Sequence, residues 1–448
     1  MPKTIPHSIA VPNAEQQRLL CDTVYGADSP GPILHDFQTL LDFIGSQGIE
    51  ASGKFDLLPI KILPTLNLHM RSKVEVDLER GQLRSYPNLQ GLYLLARATG
   101  LIVVAAHNTK RKLVVEPASL QSWQSLNPTE QYFSLLDAWL TKASRDMIGE
   151  DRGFFDHMLD SATSIWERVG ESGKQFSVND RANQGNWFAM SSIAYSLAMP
   201  GLFGLVEIKQ GKAIKGRSWI PASMRQTAFG QAVFRVLQTL SARRHYSGSL
   251  EEFLLLKPHV AKRDAETDAD TDDDTSDPQV VRFDELQELF GPYVPAWKNS
   301  LCLSFGGFRE GLFVFRVSYA KAWSRIAIPA KATLQDLADA ILDAMDFDDE
   351  HLWAFSLRDR FGSPMKIEHP FAEPEDLVGD EVRIGDIPLC IGQTMEFQYD
   401  YGDDWRFQVL LEKIDAPTRA KKYKITESVG RPPRQYDFDD EDDDDDYE

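Results

Sequence analysis

The sequence predicts an α+β protein with several domains, and three features of the chain support this prediction. Helical spacing of apolar residues dominates the first half, and alternating strands flank one strong helix in the second half. Two acidic stretches interrupt and end the chain, and 448 residues are too many for one ordinary domain. We therefore expect a mostly helical N-terminal region, an acidic linker and a C-terminal domain built as ββα plus a hairpin.

Most of the net charge of −20 comes from the two acidic stretches. Residues 264–277 contain eight acids and residues 437–448 contain ten, and neither stretch contains a base. Subtracting these 18 acids from 68 leaves 50 acids against 48 bases, a net charge of about −2 for the remainder. The overall acidity therefore does not exclude a nucleic-acid partner.

The acidic stretches also set the predicted domain boundaries, because they contain too few apolar residues to form a core. We expect both to be disordered, one as a linker and the other as a tail. The predicted regions are a helical, winged-helix-like region over 1–150, a second such module over 151–260, a linker over 261–280, an α+β domain over 281–430 and a tail over 431–448.

Two basic hairpins lie within the order helix, hairpin, helix, which is the order of a winged-helix module. One interpretation is that these cations contact nucleic-acid phosphates, where they would displace condensed counterions. The other is that they are ordinary solvated residues of hairpin tips. The candidates for nucleic-acid binding are Lys110, Arg111, Lys112, Lys209, Lys212, Lys215 and Arg217.

Motifs for enzymes, metals and membranes are absent or broken. Cys21, Cys302 and Cys390 form no CxxC pair, so neither a disulfide framework nor a cysteine zinc site is indicated. The spacing GxxxxGK occurs over residues 48–54, but Phe55 replaces the Ser or Thr that a P-loop needs. We expect a cytoplasmic protein that is not an established enzyme type, with no cofactor and no membrane partner.

Several linked motifs follow one another in the C-terminal half. A strand with Trp323 and Arg325 precedes a helix capped by Thr333, and His351 then leads towards "YDYGDDW" at residues 399–405. Residues 311–415 thereby resemble the plasmid pRiA4b open-reading-frame-three-like family. The matching residues are Trp323, Arg325, Pro329, Thr333, Leu334, Leu337, His351, Leu352, Phe355, Tyr399, Asp400, Gly402, Asp403 and Trp405.

The resemblance implies a fold and a mobile-element setting, because family members occur on plasmids and as passengers of insertion sequences. It implies no established activity, and the recombinase patterns expected of a resolvase are missing from this chain. Many members have histidine where this chain has Phe407. In those members the imidazole is expected beside the aspartates, so a metal site relying on it would be impaired here.

The aspartates of the motif allow two interpretations. As a turn, residues 402–404 form a three-residue loop, which places Asp400 opposite Arg406, Tyr401 opposite Trp405 and Tyr399 opposite Phe407. As a site, the motif aspartates approach Asp348, Asp349 or His351 and form an oxygen-rich pocket for Mg²⁺ or Mn²⁺. The sequence favours a non-enzymatic factor that binds nucleic acid or another protein. The alternative is a metal-dependent enzyme acting on nucleic acid.

Overall fold

The computed structural model of the protein describes residues 11–107, 110–150, 157–176, 194–216, 219–246, 279–305, 308–372 and 377–435. These residues form helices and sheets in two compact units, so the predicted α+β class agrees with the structure. The first unit contains the described residues up to Tyr246, with Val280–Phe305 and Arg360–Ser363. The second unit contains the other described residues from 308 onwards.

The first unit combines helices with short strands. Its helices are α1 (Ala14–Asp22), α2 (Ile33–Ile44), α3 (Leu63–His69), α4 (Pro87–Ala98), α5 (Pro117–Gln124), α6 (Pro128–Asp137), α7 (Met158–Val169), α8 (Ala194–Leu202), α9 (Ala228–Tyr246) and α10 (Gln287–Phe290). Its strands are β1 (Ile49–Glu50), β2 (Ile102–His107), β3 (Lys110–Val115), β4 (Lys174–Gln175), β5 (Val206–Gln210), β6 (Pro221–Gln226), β7 (Gln279–Arg282) and β8 (Cys302–Phe305). Among the described residues, no helix combines the length and apolar character needed to cross a bilayer.

Two three-stranded sheets in this unit have the same topology. The strand order is β1-β3-β2 in the first sheet and β4-β6-β5 in the second, with antiparallel pairing throughout. In each sheet the last strand in the chain lies between the two earlier strands. The hairpins β2–β3 and β5–β6 are the two basic hairpins of the sequence.

The helix α6 begins with a capping box between Asn127 and Glu130 and carries a buried polar stripe. The stripe consists of Glu130, Ser134 and Asp137, which share one helical face. Glu130 Oε1 accepts a hydrogen bond from Asn299 N at 2.8 Å, and Asp137 Oδ2 accepts one from Leu286 N at 2.9 Å. These buried acceptors hold the segment from β7 to β8 against α6, because the backbone N–H groups of that segment need hydrogen-bond partners.

Val280–Phe305 therefore packs within the first unit, whereas the predicted boundaries place it in a domain over 281–430. The reason is that side chains of α6 bind backbone groups of this segment, and its own residue pattern does not reveal such bonds. Apart from residues 279 and 280, the predicted linker lies outside the described residues. The predicted tail lies outside them from residue 436 onwards.

The second unit is one large sheet with a helix packed on it. Its helix is α11 (Leu334–Met345), and its strands are β9 (Leu312–Tyr319), β10 (Ala322–Pro329), β11 (Trp353–Arg358), β12 (Pro364–Glu368), β13 (Leu377–Val378), β14 (Thr394–Tyr399), β15 (Trp405–Asp415) and β16 (Lys424–Val429). The strand order is β13-β12-β11-β14-β15-β9-β10-β16. All neighbouring pairs are antiparallel except β12 with β13.

The helix α11 begins after Thr333, whose hydroxyl accepts a hydrogen bond from Asp336 N in a capping box. Its buried face includes Leu334, Leu337 and Ile341, and these residues belong to the core that the inner face of the sheet completes. The opposite face of the sheet carries Trp323 and Arg325, which remain half-exposed. The motif residues of the second unit are thus distributed over a buried face and an open face of one sheet.

Candidate functional site

The motif aspartates lie in the connection between β14 and β15, which spans residues 400–404. Asp400 and Asp404 adopt left-handed backbone conformations, with φ of 53° and 55°. The Asp400 carboxylate accepts a hydrogen bond from Gly402 N at 2.9 Å, and its carbonyl accepts one from Asp404 N at 2.7 Å. Asp and Asn tolerate this conformation better than most residues, so both aspartates serve the turn directly.

The predicted pairing across this hairpin is wrong by two positions. Tyr399 pairs with Trp405 and Gln398 pairs with Arg406, so the connection contains five residues and not three. The chain therefore turns earlier than predicted, and Asp400 N donates to Leu352 O at 3.0 Å on the β11 side of the hairpin. The expected Asp400–Arg406 ion pair is absent from the observed register. Arg406 instead pairs with Asp404 at 2.9 Å and with Glu396 at 2.7 Å.

A polar cluster forms beside this turn. His351 Nδ1 lies 3.5 Å from Asp400 Oδ2, and the histidine side chain is 37% exposed. The Tyr399 hydroxyl donates to Asp348 Oδ1 at 2.7 Å. Burial raises the pKa of the Tyr399 hydroxyl, and its bond to Asp348 raises it further. Gln435 Oε1 accepts from Asp348 N at 2.7 Å, so the last described residue is also bound to this cluster.

The cluster does not gather the full set of predicted metal ligands. Asp403 is exposed at the hairpin tip and makes no hydrogen bond or ion pair with a described residue. Within the described ranges, no group of three or more His, Cys, Asp or Glu side chains has a geometry that could hold a metal ion. Of His351, Asp400 and Asp403, the structure brings the first two together.

Phe407 does not lie beside the aspartates, which corrects the expectation for this position. It is fully buried and pairs with Phe397 across the hairpin. Its ring lies 5.4 Å from that of Tyr319 and 5.7 Å from that of Phe347. A side chain at this position therefore faces the aromatic core and not the carboxylates of the turn.

The other motif residues order the open face of the sheet. The Trp323 ring lies between two guanidinium groups, 4.5 Å from that of Arg316 and 5.2 Å from that of Arg325. Arg325 also pairs with Glu412 at 2.6 Å and with Glu427. These contacts connect neighbouring strands through their side chains, which is a structural role for Trp323 and Arg325.

The two basic hairpins of the first unit differ in what their cations contact. Arg111 pairs with Asp56 at 3.1 Å and donates to Gly53 O at 3.0 Å, while Lys112 Nζ donates to Gln47 O at 3.4 Å. Arg111 and Lys112 are therefore engaged by their own module. The Lys110 side chain is not among those that the structure describes.

The lysines of the second hairpin are exposed. Lys212 and Lys215 make no hydrogen bond or ion pair with described residues, and Lys209 is exposed on β5 beside Glu207. The connection between β5 and β6 is held in place because Gly216 N donates to Asp77 O at 2.9 Å. Arg217 lies outside the described residues.

A third group of bases, absent from the candidates above, lies along residues 416–435 of the second unit, which we call the β15–β16 segment. It is a crossover connection followed by β16, because β9 and β10 lie between β15 and β16 in the sheet. Residues 416–435 contain six bases and one acid, Glu427, and this local excess is its signal in the sequence. The net charge of about −2 for the chain without its acidic stretches conceals this local excess. The bases are Arg419, Lys421, Lys422, Lys424, Arg431 and Arg434.

Comparison with known proteins supports the resemblance found in the sequence. The family model described as plasmid pRiA4b ORF-3-like protein matches residues 315–435. A crystal structure of a protein of unknown function from Methanosarcina mazei Go1 is 26% identical, with a TM-score of 0.25. That match covers 28% of this chain and 72% of the other. No curated protein matches this sequence. The C-terminal region of this chain, residues 315–435, is thus a match to the plasmid pRiA4b ORF-3-like protein family.

Proposed function

We propose that this protein is a non-enzymatic factor of mobile-element character that binds nucleic acid through its first unit. The observation that carries the proposal is the β5–β6 hairpin, which presents exposed lysines that are free to contact phosphates. Lys212 and Lys215 have no partner among the described residues, and Lys209 lies on the same hairpin. When such unpaired lysines contact phosphates, the release of counterions contributes fully to the binding free energy, since no carboxylate of the protein has to be displaced first.

The topology supports two modules of winged-helix type. In the first, α2, β1, α3, α4, β2 and β3 follow in order, and the sheet order is β1-β3-β2. In the second, α7 and β4 precede α8, β5 and β6, and the sheet order is β4-β6-β5. In a winged helix the final hairpin is the wing, so the lysines of β5–β6 occupy a wing position.

The helices that would read bases in such modules are not available for a DNA groove. Every residue of α4 except Asn88 is buried, and α4 packs against α8. Gly91 permits this close packing, because a Cβ atom there would lie 2.5 Å from Met199 Sδ. A recognition helix must present an exposed face to the major groove. We therefore propose contact with the phosphate backbone and little sequence preference.

The test uses the full-length protein and a short fluorescent DNA duplex, with anisotropy measured over a range of salt concentrations. Lys209→Gln, Lys212→Gln and Lys215→Gln are combined in one variant. The slope of log K against log salt concentration should become smaller in magnitude by about 2 to 3, because each lost phosphate contact changes this slope by about 1. The matched control combines Lys54→Gln, Lys61→Gln and Lys298→Gln, which removes three charges from other exposed lysines of the first unit.

Two other results would change the assignment. Absence of binding by the wild-type protein at low salt would refute the nucleic-acid role and leave a protein-interaction module. Cleavage of the duplex on addition of Mg²⁺ would instead favour the alternative, a metal-dependent enzyme. That alternative ranks second because the described residues bring only His351 and Asp400 together out of the predicted ligand set.

A further inference from the structure

The β15–β16 segment concentrates positive charge in a protein whose net charge is −20. Over residues 416–435, six bases and one acid give a net charge of +5. All six bases are exposed, and none of their side chains makes a hydrogen bond or ion pair with a residue that the structure describes. The single acid, Glu427, is paired with Arg325. Within residues 416–435, no carboxylate is therefore left to neutralise the six bases.

The cations are carried by an ordered framework. β16 pairs with β10 over residues 424–429, and Thr426 Oγ1 donates to Arg325 O at 3.1 Å. The Ser324 and Ser428 hydroxyls are 2.9 Å apart. Just before β16, the Tyr423 hydroxyl donates to Asp343 of α11. These bonds hold residues 423–429 in place before any partner binds, which lowers the entropy cost of association.

The chemistry of the β15–β16 segment fits a polyphosphate backbone better than a protein surface. Centres of protein–protein interfaces are enriched in aromatic and apolar residues and depleted in charge. Within residues 416–435, all of which the structure describes, the only exposed large hydrophobic residue is Val429, at 45%. Adjacent unpaired cations instead favour a partner with closely spaced negative charges, where several counterions are released together.

We propose that the β15–β16 segment is a second phosphate-backbone contact for nucleic acid, located in the family-matching unit. Arg419, Lys421 and Lys422 lie in the connection and Lys424 begins β16, while Arg431 and Arg434 follow β16 in the chain. This proposal goes beyond the β5–β6 site, since it concerns other residues in another unit. It can hold even where that site fails.

The test compares full-length variants by anisotropy with the same DNA duplex over a salt series. Combining Lys421→Gln, Lys422→Gln and Lys424→Gln should weaken binding by roughly tenfold or more at low salt and reduce the salt slope by about 3. The control combines Lys366→Gln, Arg406→Gln and Lys413→Gln, which removes three charges that are already paired with carboxylates of the same unit. The control should bind nearly as well as wild type.

A charge-conserving variant separates charge from folding. Lys421→Arg, Lys422→Arg and Lys424→Arg together should restore wild-type affinity, which a merely structural effect of the glutamines would not predict. Wild-type affinity and slope in the glutamine variant would overturn the proposal, as would an equal loss in the control. Competition with poly-glutamate gives a further test. If poly-glutamate displaces the duplex as effectively as unlabelled DNA does, the proposal is overturned, because the surface would then fit acidic proteins. Loss of affinity in the β15–β16 variant with none in the β5–β6 variant would support the β15–β16 segment as a contact and refute the β5–β6 hairpin.

Discussion

The two units use charged side chains in opposite ways. In the first, Asp36, Glu130 and Asp137 are almost fully buried, and each accepts N–H groups from a distant segment. In the second, Arg325 and Arg406 pair with carboxylates on the open face of the sheet and remain at least 30% exposed. Removing one partner of a buried polar contact is costly, whereas exposed ion pairs contribute little. The comparison teaches that loss of one of these buried carboxylates should cost more stability than loss of an ion pair on the open face of the sheet.

The largest effect is expected for Glu130→Ala. Glu130 is 2% exposed, and its carboxylate accepts from Asn127 N, Asn299 N and Asn299 Nδ2. Losing it leaves buried donors without a partner, so the free energy of unfolding should fall by about 3 to 5 kcal/mol. Urea denaturation measures this change. Glu130→Gln, which keeps one acceptor oxygen, should lose less, and an equal loss would contradict the role of hydrogen bonding.

The next effect concerns the aromatic core of the second unit. Phe407→His places a polar ring among Tyr319, Phe347 and Phe397, so we expect a loss of about 3 kcal/mol. The loss should grow below about pH 6, where the imidazole has to be held neutral. Phe407→Leu serves as an apolar control without this pH dependence. A thermal shift on addition of Zn²⁺ or Mn²⁺ to the histidine variant would show that position 407 can reach a metal site after all.

A smaller effect follows from the titration of Asp137. Burial raises its pKa from 3.8 to about 7, although the bond from Leu286 N, the nearby Lys142 and the Thr141 hydroxyl oppose this shift and Glu285 adds to it. The folded state therefore retains the proton to a higher pH than the unfolded state. Stability should fall by about 2 to 3 kcal/mol between about pH 5 and pH 8. Asp137→Asn cannot titrate, so denaturation at both pH values should give a smaller difference, and an unchanged difference would refute this origin.

The smallest effect is expected for Arg406→Gln. Arg406 is exposed, and its partners Asp404 and Glu396 are also accessible to water. We expect the urea midpoint to stay within experimental error, since water replaces these contacts. A double-mutant cycle with Glu396→Gln measures the coupling directly. A coupling as large as the effect of Glu130→Ala would remove the distinction between the two units.

Sequence reasoning reached the fold class because its signals are local. The helical spacing and the Thr333 cap specify α11, and the strand alternation specifies β9, β10, β14 and β15. The family motifs also lie in short stretches, so the match over residues 315–435 could be anticipated. Charge counting could have identified the β15–β16 segment, because its excess of bases is visible in the sequence alone.

The candidate site was less predictable because its properties depend on contacts between distant residues. Arg111 and Lys212 look alike in the sequence, yet Asp56 engages the first and no described residue engages the second. Likewise, the pattern of "YDYGDDW" does not reveal that Tyr399 pairs with Trp405, which makes the connection five residues long.

The sequence by itself determined the helices and strands, the acidic stretches and the family of the C-terminal region, since each depends on neighbouring residues. Only the tertiary structure decided which cations are free, which carboxylates are buried and to which unit residues 280–305 belong. The physical reason is that hydrogen bonds and ion pairs form wherever folding brings donors and acceptors together. The bond between Asp137 and Leu286, residues far apart in the chain, is one such contact.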